Sequence, residues 1–85
     1  MNYKIKDEFL PINIHEETVT TGNRLYNGYY YGDTKQIDGK IIGFYAYRFD
    51  NFPCITQLIG NKKSVRIWTK SPNVVFTVDV IYINS

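Results

Sequence analysis

The chain holds a single histidine, His15, and a single cysteine, Cys54, the only pair from which a thiolate nucleophile and its base could be drawn. Nothing local orients either residue. Cys54 stands between Pro53 and Ile55, the setting of a small buried hydrophobe, and His15 ends an alternating Ile12-Asn13-Ile14 stretch. One His and one Cys fall short of a zinc set. The acids pair only as Asp7-Glu8 and Glu16-Glu17. Neighbours on a strand point to opposite faces, so neither pair can converge on one substrate atom, and no calcium loop is spelled. Gly28 and Gly32 have no phosphate-loop motif around them and no helix after them. The expectation is a protein with no catalytic residues, no metal site and no cofactor: not an enzyme.

Binding is the chemistry that remains. Aromatic and basic residues interleave at Arg24, Tyr26, Tyr29, Tyr30, Tyr31, Tyr45, Tyr47 and Arg48. Tyr and Arg supply hot spots in protein interfaces. Single-strand readers also stack bases on exposed rings and track phosphates with Lys or Arg. Three consecutive tyrosines on a strand cannot all face one core, so part of this set must reach the surface. The binding residues expected are Tyr30, Tyr45, Tyr47, Arg24, Tyr26 and Arg48. Trp68 shares a face with Arg66 and Lys70, opposite Val65, Ile67 and Thr69, and burial in a core or interface is its expected role.

Charge narrows the partner. The net charge is +2 with no block of like sign. A dedicated nucleic-acid or anionic-membrane binder is more basic and more clustered, and a DNA mimic is strongly acidic. The leading reading is a non-enzymatic protein-binding module, a small inhibitor or adaptor. Single-stranded nucleic acid comes second, and capture of a small nucleotide-like ligand in a Tyr-lined pocket third. The abundance of Ile, Asn, Lys and Tyr accompanies AT-rich coding sequences, so a phage or mobile-element origin is the matching expectation.

These residues need a scaffold, and the pattern is β throughout. Eighty-five residues make one domain, 1–85. No window keeps the apolar spacing of an amphipathic helix, and Tyr, Ile, Val, Thr and Phe favour pleated, half-buried positions. One cysteine rules out an internal disulfide framework, no apolar run approaches a membrane span, and the first residues lack a signal-peptide pattern. A cytoplasmic location without membrane partners is expected. The fold expected is an all-β antiparallel meander of five to seven short strands, curled into an SH3-like or OB-like barrel or sandwich.

Two segments carry most of that reading. Asp38-Gly39 suits a type I′ turn, joining 29–37 to 41–49 as a central hairpin. Its register sets Tyr30 opposite Tyr47 and Gly32 opposite Tyr45 on an outward side. Tyr31, beside Ala46, turns inward with Ile42 and Phe44. The last segment, 74–83, alternates cleanly, and Val74, Phe76, Val78, Val80 and Tyr82 form one apolar face that should line the core. Its opposite face retains Val75, Ile81 and Ile83, so an open edge there would be covered in a homodimer. Pro11 marks an edge strand or extended arm, and 60–63, Gly-Asn-Lys-Lys, reads as a hairpin loop between 55–59 and 65–69.

Overall fold

A computed structural model describes residues 2–5 and 8–84 of the chain. It contains β1 (Asn2–Ile5), β2 (Glu8–Thr20), β3 (Tyr30–Asp33), β4 (Lys40–Tyr47), β5 (Ile55–Ile59), β6 (Ser64–Thr69) and β7 (Val75–Ile83). There is no helix among the described residues. All pairings are antiparallel, and they form two sheets, β1-β2-β7-β4 and β3-β6-β5. The sheets face each other across one core and do not close into a barrel.

That core comes from the alternation of β7. Phe76, Val78 and Val80 are completely buried, with Val74 and Tyr82 packed at its margins. Across from them lie Val65 and Ile67 of β6, equally buried, with Ile37 of the β3–β4 connection, while Val19 of β2 flanks Phe76 within the same sheet. Phe44 and Leu58 pack against this cluster from β4 and β5. Phe52, from the connection between those two strands, meets Phe76 edge-on at 6.3 Å between ring centroids. Ile42, expected inside, is exposed instead, because a register shift between Ile41 and Gly43 turns Ile41 inward in its place.

Buried threonines fasten the loops to this core. The Thr21 hydroxyl donates to the Ser71 carbonyl and accepts from the Val74 amide. Thr34 likewise accepts from the Val65 amide, and Thr69 donates to the Pro53 carbonyl at 2.8 Å. Each hydroxyl is therefore satisfied despite its burial, as an unpaired one would cost stability.

The expected central hairpin does not form. β3 pairs with β6 and β4 with β7, so the two arms lie in different sheets. Tyr30 is opposite Thr69, Gly32 opposite Ile67, Tyr45 opposite Asp79 and Tyr47 opposite Thr77. A type I′ turn needs positive φ at both central residues, and neither Asp38 nor Gly39 has it. The preceding segment is held to β6 and to the loop just before it by hydrogen bonds from Thr34 N to Val65 O and from Ile37 N to Lys63 O, which carry the chain across to the other sheet. Gly39 then passes so close to β7 that a Cβ would lie 2.6 Å from the Ile83 carbonyl oxygen. The type I′ turn falls at Asn27-Gly28, with φ of 49° and 84° and paired hydrogen bonds between Tyr26 and Tyr29. Of the arm expected over 29–37, only residues 30–33 belong to a strand.

β7 is also not an edge. It lies between β2 and β4, so the side expected to be open and covered in a homodimer is already paired. Two smaller expectations hold. Pro11 pairs with Asn2 where β2 has run past the end of β7, an extended arm in which no second ladder asks for its missing N–H. The 60–63 loop joins β5 to β6 with positive φ at Gly60, Asn61 and Lys62. No described helix is long and apolar enough to cross a membrane.

Candidate functional site

The two sheets have outer faces of different chemistry, and the binding residues read from the sequence are divided between them. On the small sheet, register builds two rows across β3, β6 and β5. Tyr31, Trp68 and Ile55 form one, and Asp33, Arg66 and Gln57 the other. Alternation in β6 sends Val65, Ile67 and Thr69 inward, so Arg66 and Trp68 point out, and Trp68, for which burial in a core or interface is expected from the sequence, is half-buried on this outer face, away from the core.

The rows lock together. Arg66 donates to both Asp33 oxygens at 2.7 and 3.0 Å, and its guanidinium lies 4.0 Å from the centroid of Tyr31 and 5.6 Å from that of Trp68. The Trp68 indole N–H donates to Gln57 at 3.0 Å. Tyr31 meets Trp68 at 5.1 Å and Tyr26 at 5.3 Å, both tilted by about 50° as aromatic pairs prefer. The Asn27-Gly28 turn folds Tyr26 back onto this surface, and Arg24 lies 5.8 Å above its ring. The hydrogen bond from Arg66 to Asp33 raises the guanidinium pKa further, so the cation is permanent.

Beside this platform runs an apolar groove of about 420 Å³, lined by Tyr29, Phe52, Pro53, Cys54, Ile55 and Trp68 with Lys70 at its edge. A shallower one of about 280 Å³ continues it past Tyr26 and Asn27. Lys70 lies 5.6 Å over the ring of Tyr29. Cys54 is half-buried in the larger groove, and burial pushes its thiol pKa up, away from the reactive thiolate.

The outer face of the large sheet presents three rows across β2, β7 and β4: Thr18, Thr77 and Tyr47; Glu16, Asp79 and Tyr45; Ile14, Ile81 and Gly43. Tyr45 is 63% exposed and Ile14 68%, so this face is open. The rings of Tyr45 and Tyr47 lie 5.2 Å apart at 31°. Burial first, then the negative charges of Asp79 and Glu16, push the Tyr47 hydroxyl above its usual range.

Of the six residues expected to bind, Tyr45 and Tyr47 come together on the large sheet, while Tyr26 and Arg24 join the small one. Tyr30 is half-buried and shares its side of β3 with Gly32, toward the core. Arg48 is used as a clamp. It donates to both oxygens of Asp50 and to the Val75 carbonyl, and it stacks near Phe49 and Phe52. Tyr31, expected inside, is the centre of the outer platform. Trp68 and Arg66 complete it, and the alternation of β6 was the signal that could have placed them there.

His15 and Cys54 serve separate parts of the fold. The His15 Nε2 pairs with Glu17 at 2.8 Å, and Glu17 accepts from the Lys35 amide at 3.1 Å, a tie between β2 and the β3–β4 connection. Among the described residues, no three His, Cys, Asp or Glu side chains group closely enough to hold a metal ion. Set against protein-family models, curated proteins and solved structures, the chain matches none of them.

Proposed function

We propose that the chain is a non-enzymatic protein-binding module, an inhibitor or adaptor, and that it engages its partner through the outer face of the small sheet. One observation carries this reading: Tyr26, Tyr31, Trp68 and Arg66 are pre-packed into a single outward platform beside an apolar groove. Trp, Tyr and Arg are the residues that dominate interface energetics. Rings locked by neighbours lose little entropy on binding, so their contact energy is retained as affinity. The groove offers an apolar partner side chain a seat beside them.

The same geometry weighs against the nucleic-acid reading. Bases stack on free, flat ring faces and need cations spaced along a backbone. Here the guanidinium of Arg66 covers Tyr31, the rings are tilted into one another, and Arg66 is neutralised by Asp33.

The test uses Trp68, the only tryptophan, as reporter. Binders selected from a displayed peptide library should perturb its fluorescence, and Trp68→Ala or Arg66→Ala should cost about 2 kcal/mol or more of affinity with the fold retained. Labelled oligonucleotides should give no comparable, salt-sensitive signal. Oligonucleotide binding that falls steeply with salt and fails in Arg66→Ala would overturn the reading.

A further inference from the structure

We infer that the outer face of the large sheet is a second, separate binding site, and that it takes an arginine side chain presented by a protein partner. The pattern of charge selects this occupant. Glu16 and Asp79 are directly opposite on neighbouring strands, and Tyr45 is opposite Asp79 on the other side. Like charges placed in this way destabilise a sheet unless a cation joins them. Among the described residues no lysine or arginine does so. The basic residue following Tyr47 is spent on Asp50, and Lys40 is at the far end of β4 opposite Ile83.

The carboxylate of Asp79 is the sharper sign. Its Oδ1 is shut off from solvent and has no hydrogen-bond partner, and the neighbouring Tyr47 hydroxyl is the donor that serves the carboxylate. A half-buried carboxylate in that state is stabilised by any cation brought over it. The two rings beside it supply the rest of such a site. Tyr45 and Tyr47 lie 5.2 Å apart, and Tyr45 is largely exposed. A planar guanidinium laid on these rings gains a cation–π contact in the field of two carboxylates. Ile14 and Ile42 border the patch and would cover the methylene stem.

Phosphate is repelled by the same pair of acids, so the occupant is not nucleic acid. The small sheet, with Arg24 and Lys70 beside the mutually neutralised Arg66–Asp33 pair, has the opposite bias. The site does not depend on the reading of that sheet, and with both faces occupied the molecule would join two partners.

The experiment titrates the ¹⁵N-labelled chain with an acetylated, amidated Gly-Arg-Gly-Arg-Gly peptide and with its Gly-Glu-Gly-Glu-Gly counterpart. The arginine peptide should shift the amides of Glu16, Tyr45, Tyr47 and Asp79 while leaving Tyr31 and Trp68 in place, and the glutamate peptide should shift neither set. Asp79→Asn should weaken the arginine peptide about fivefold, and Tyr45→Ala, at an exposed position where folding is not at stake, by a similar factor. No shift on this face up to about 10 mM peptide, well above the weakest useful affinity, overturns the inference. So does an undiminished response in both variants. Shifts confined to the Tyr31 and Trp68 face would overturn it while leaving the proposed function standing. Concentration-dependent sedimentation of the parent that disappears in Asp79→Asn would assign the face to a second copy of the chain and overturn the partner named here.

Discussion

Gly32→Ala tests the contact on which the two-sheet arrangement depends. Gly32 is buried where β3 runs against the end of β2, and the amide of Gly22 donates to Tyr31 O at 2.9 Å along the same seam. A Cβ on residue 32 would stand 2.5 Å from the Thr20 carbonyl oxygen and 2.8 Å from Cγ1 of Val19. Carbon and oxygen approach no closer than ~3.3 Å without strain, so about 0.8 Å must be found. The oxygen is backbone, and the strand behind it is tied to β7 and to the Val74 carbonyl through Thr21 N. Relief therefore means separating the sheets. Overpacking of this kind costs about 1–3 kcal/mol. Restricting the unfolded chain returns ~0.5–1 kcal/mol of that, and a net loss of about 1 kcal/mol lowers Tm by roughly 4–8 °C in a domain of this size. Gly43→Ala is the control, because its Cβ would meet Ile81 Cδ1 at an ordinary 3.8 Å. It should melt at or slightly above the parent. Thermal and urea unfolding followed by circular dichroism read both. If Gly32→Ala melts within about 2 °C of the parent, the sheets do not meet at this seam.

Phe76→Ala removes the largest wholly buried side chain and should cost about 3–5 kcal/mol, seen as a lower urea midpoint with little change in slope. Gly28→Ala places a side chain at φ +84° with open space around it, so the loss should be only about 1 kcal/mol and should come from strain alone. Differential scanning calorimetry resolves that. Cys54, with its thiol pKa raised by burial, carries less thiolate at any given pH than an ordinary cysteine. Iodoacetamide at pH 8 should label it more slowly in the folded protein than in urea, and equal rates would contradict the burial.

Local pattern made the core legible. The alternation of 74–83 named the buried face residue by residue, and the Gly-Asn-Lys-Lys loop and the arm at Pro11 followed from turn and donor chemistry alone. The pairing of β3 was not legible, because two dipeptides competed for one turn type. Asn27-Gly28 took the positive φ values, while Asp38-Gly39 was overridden by hydrogen bonds from Thr34 and Ile37 to Val65 of β6 and Lys63 before it, partners far along the chain. The site suffered from the same error. Tyr31 belongs with Trp68 through a cross-strand register that no local spacing announces. Tyr45 and Tyr47 kept their outward direction because their own strand alternates, whatever its partner.

The place of β2 in the large sheet has a consequence for how the protein is made. Among the described residues, only the β1–β2 and β5–β6 ladders join strands consecutive in sequence. The longest strand waits for the latest one, since residues 12–20 pair with 75–83. A ribosome adding about 5–20 residues per second leaves β2 without that partner for roughly 3–13 s. During that interval Val19 has no core to enter, and β6 can pair with β5 but lacks the wall supplied by Phe76, Val78 and Val80. The nascent chain therefore carries unprotected strand edges until β7 emerges, and then joins β2 to β4 through it in one late step. Chaperones that shield extended segments would meet this protein before its own C-terminal strand does.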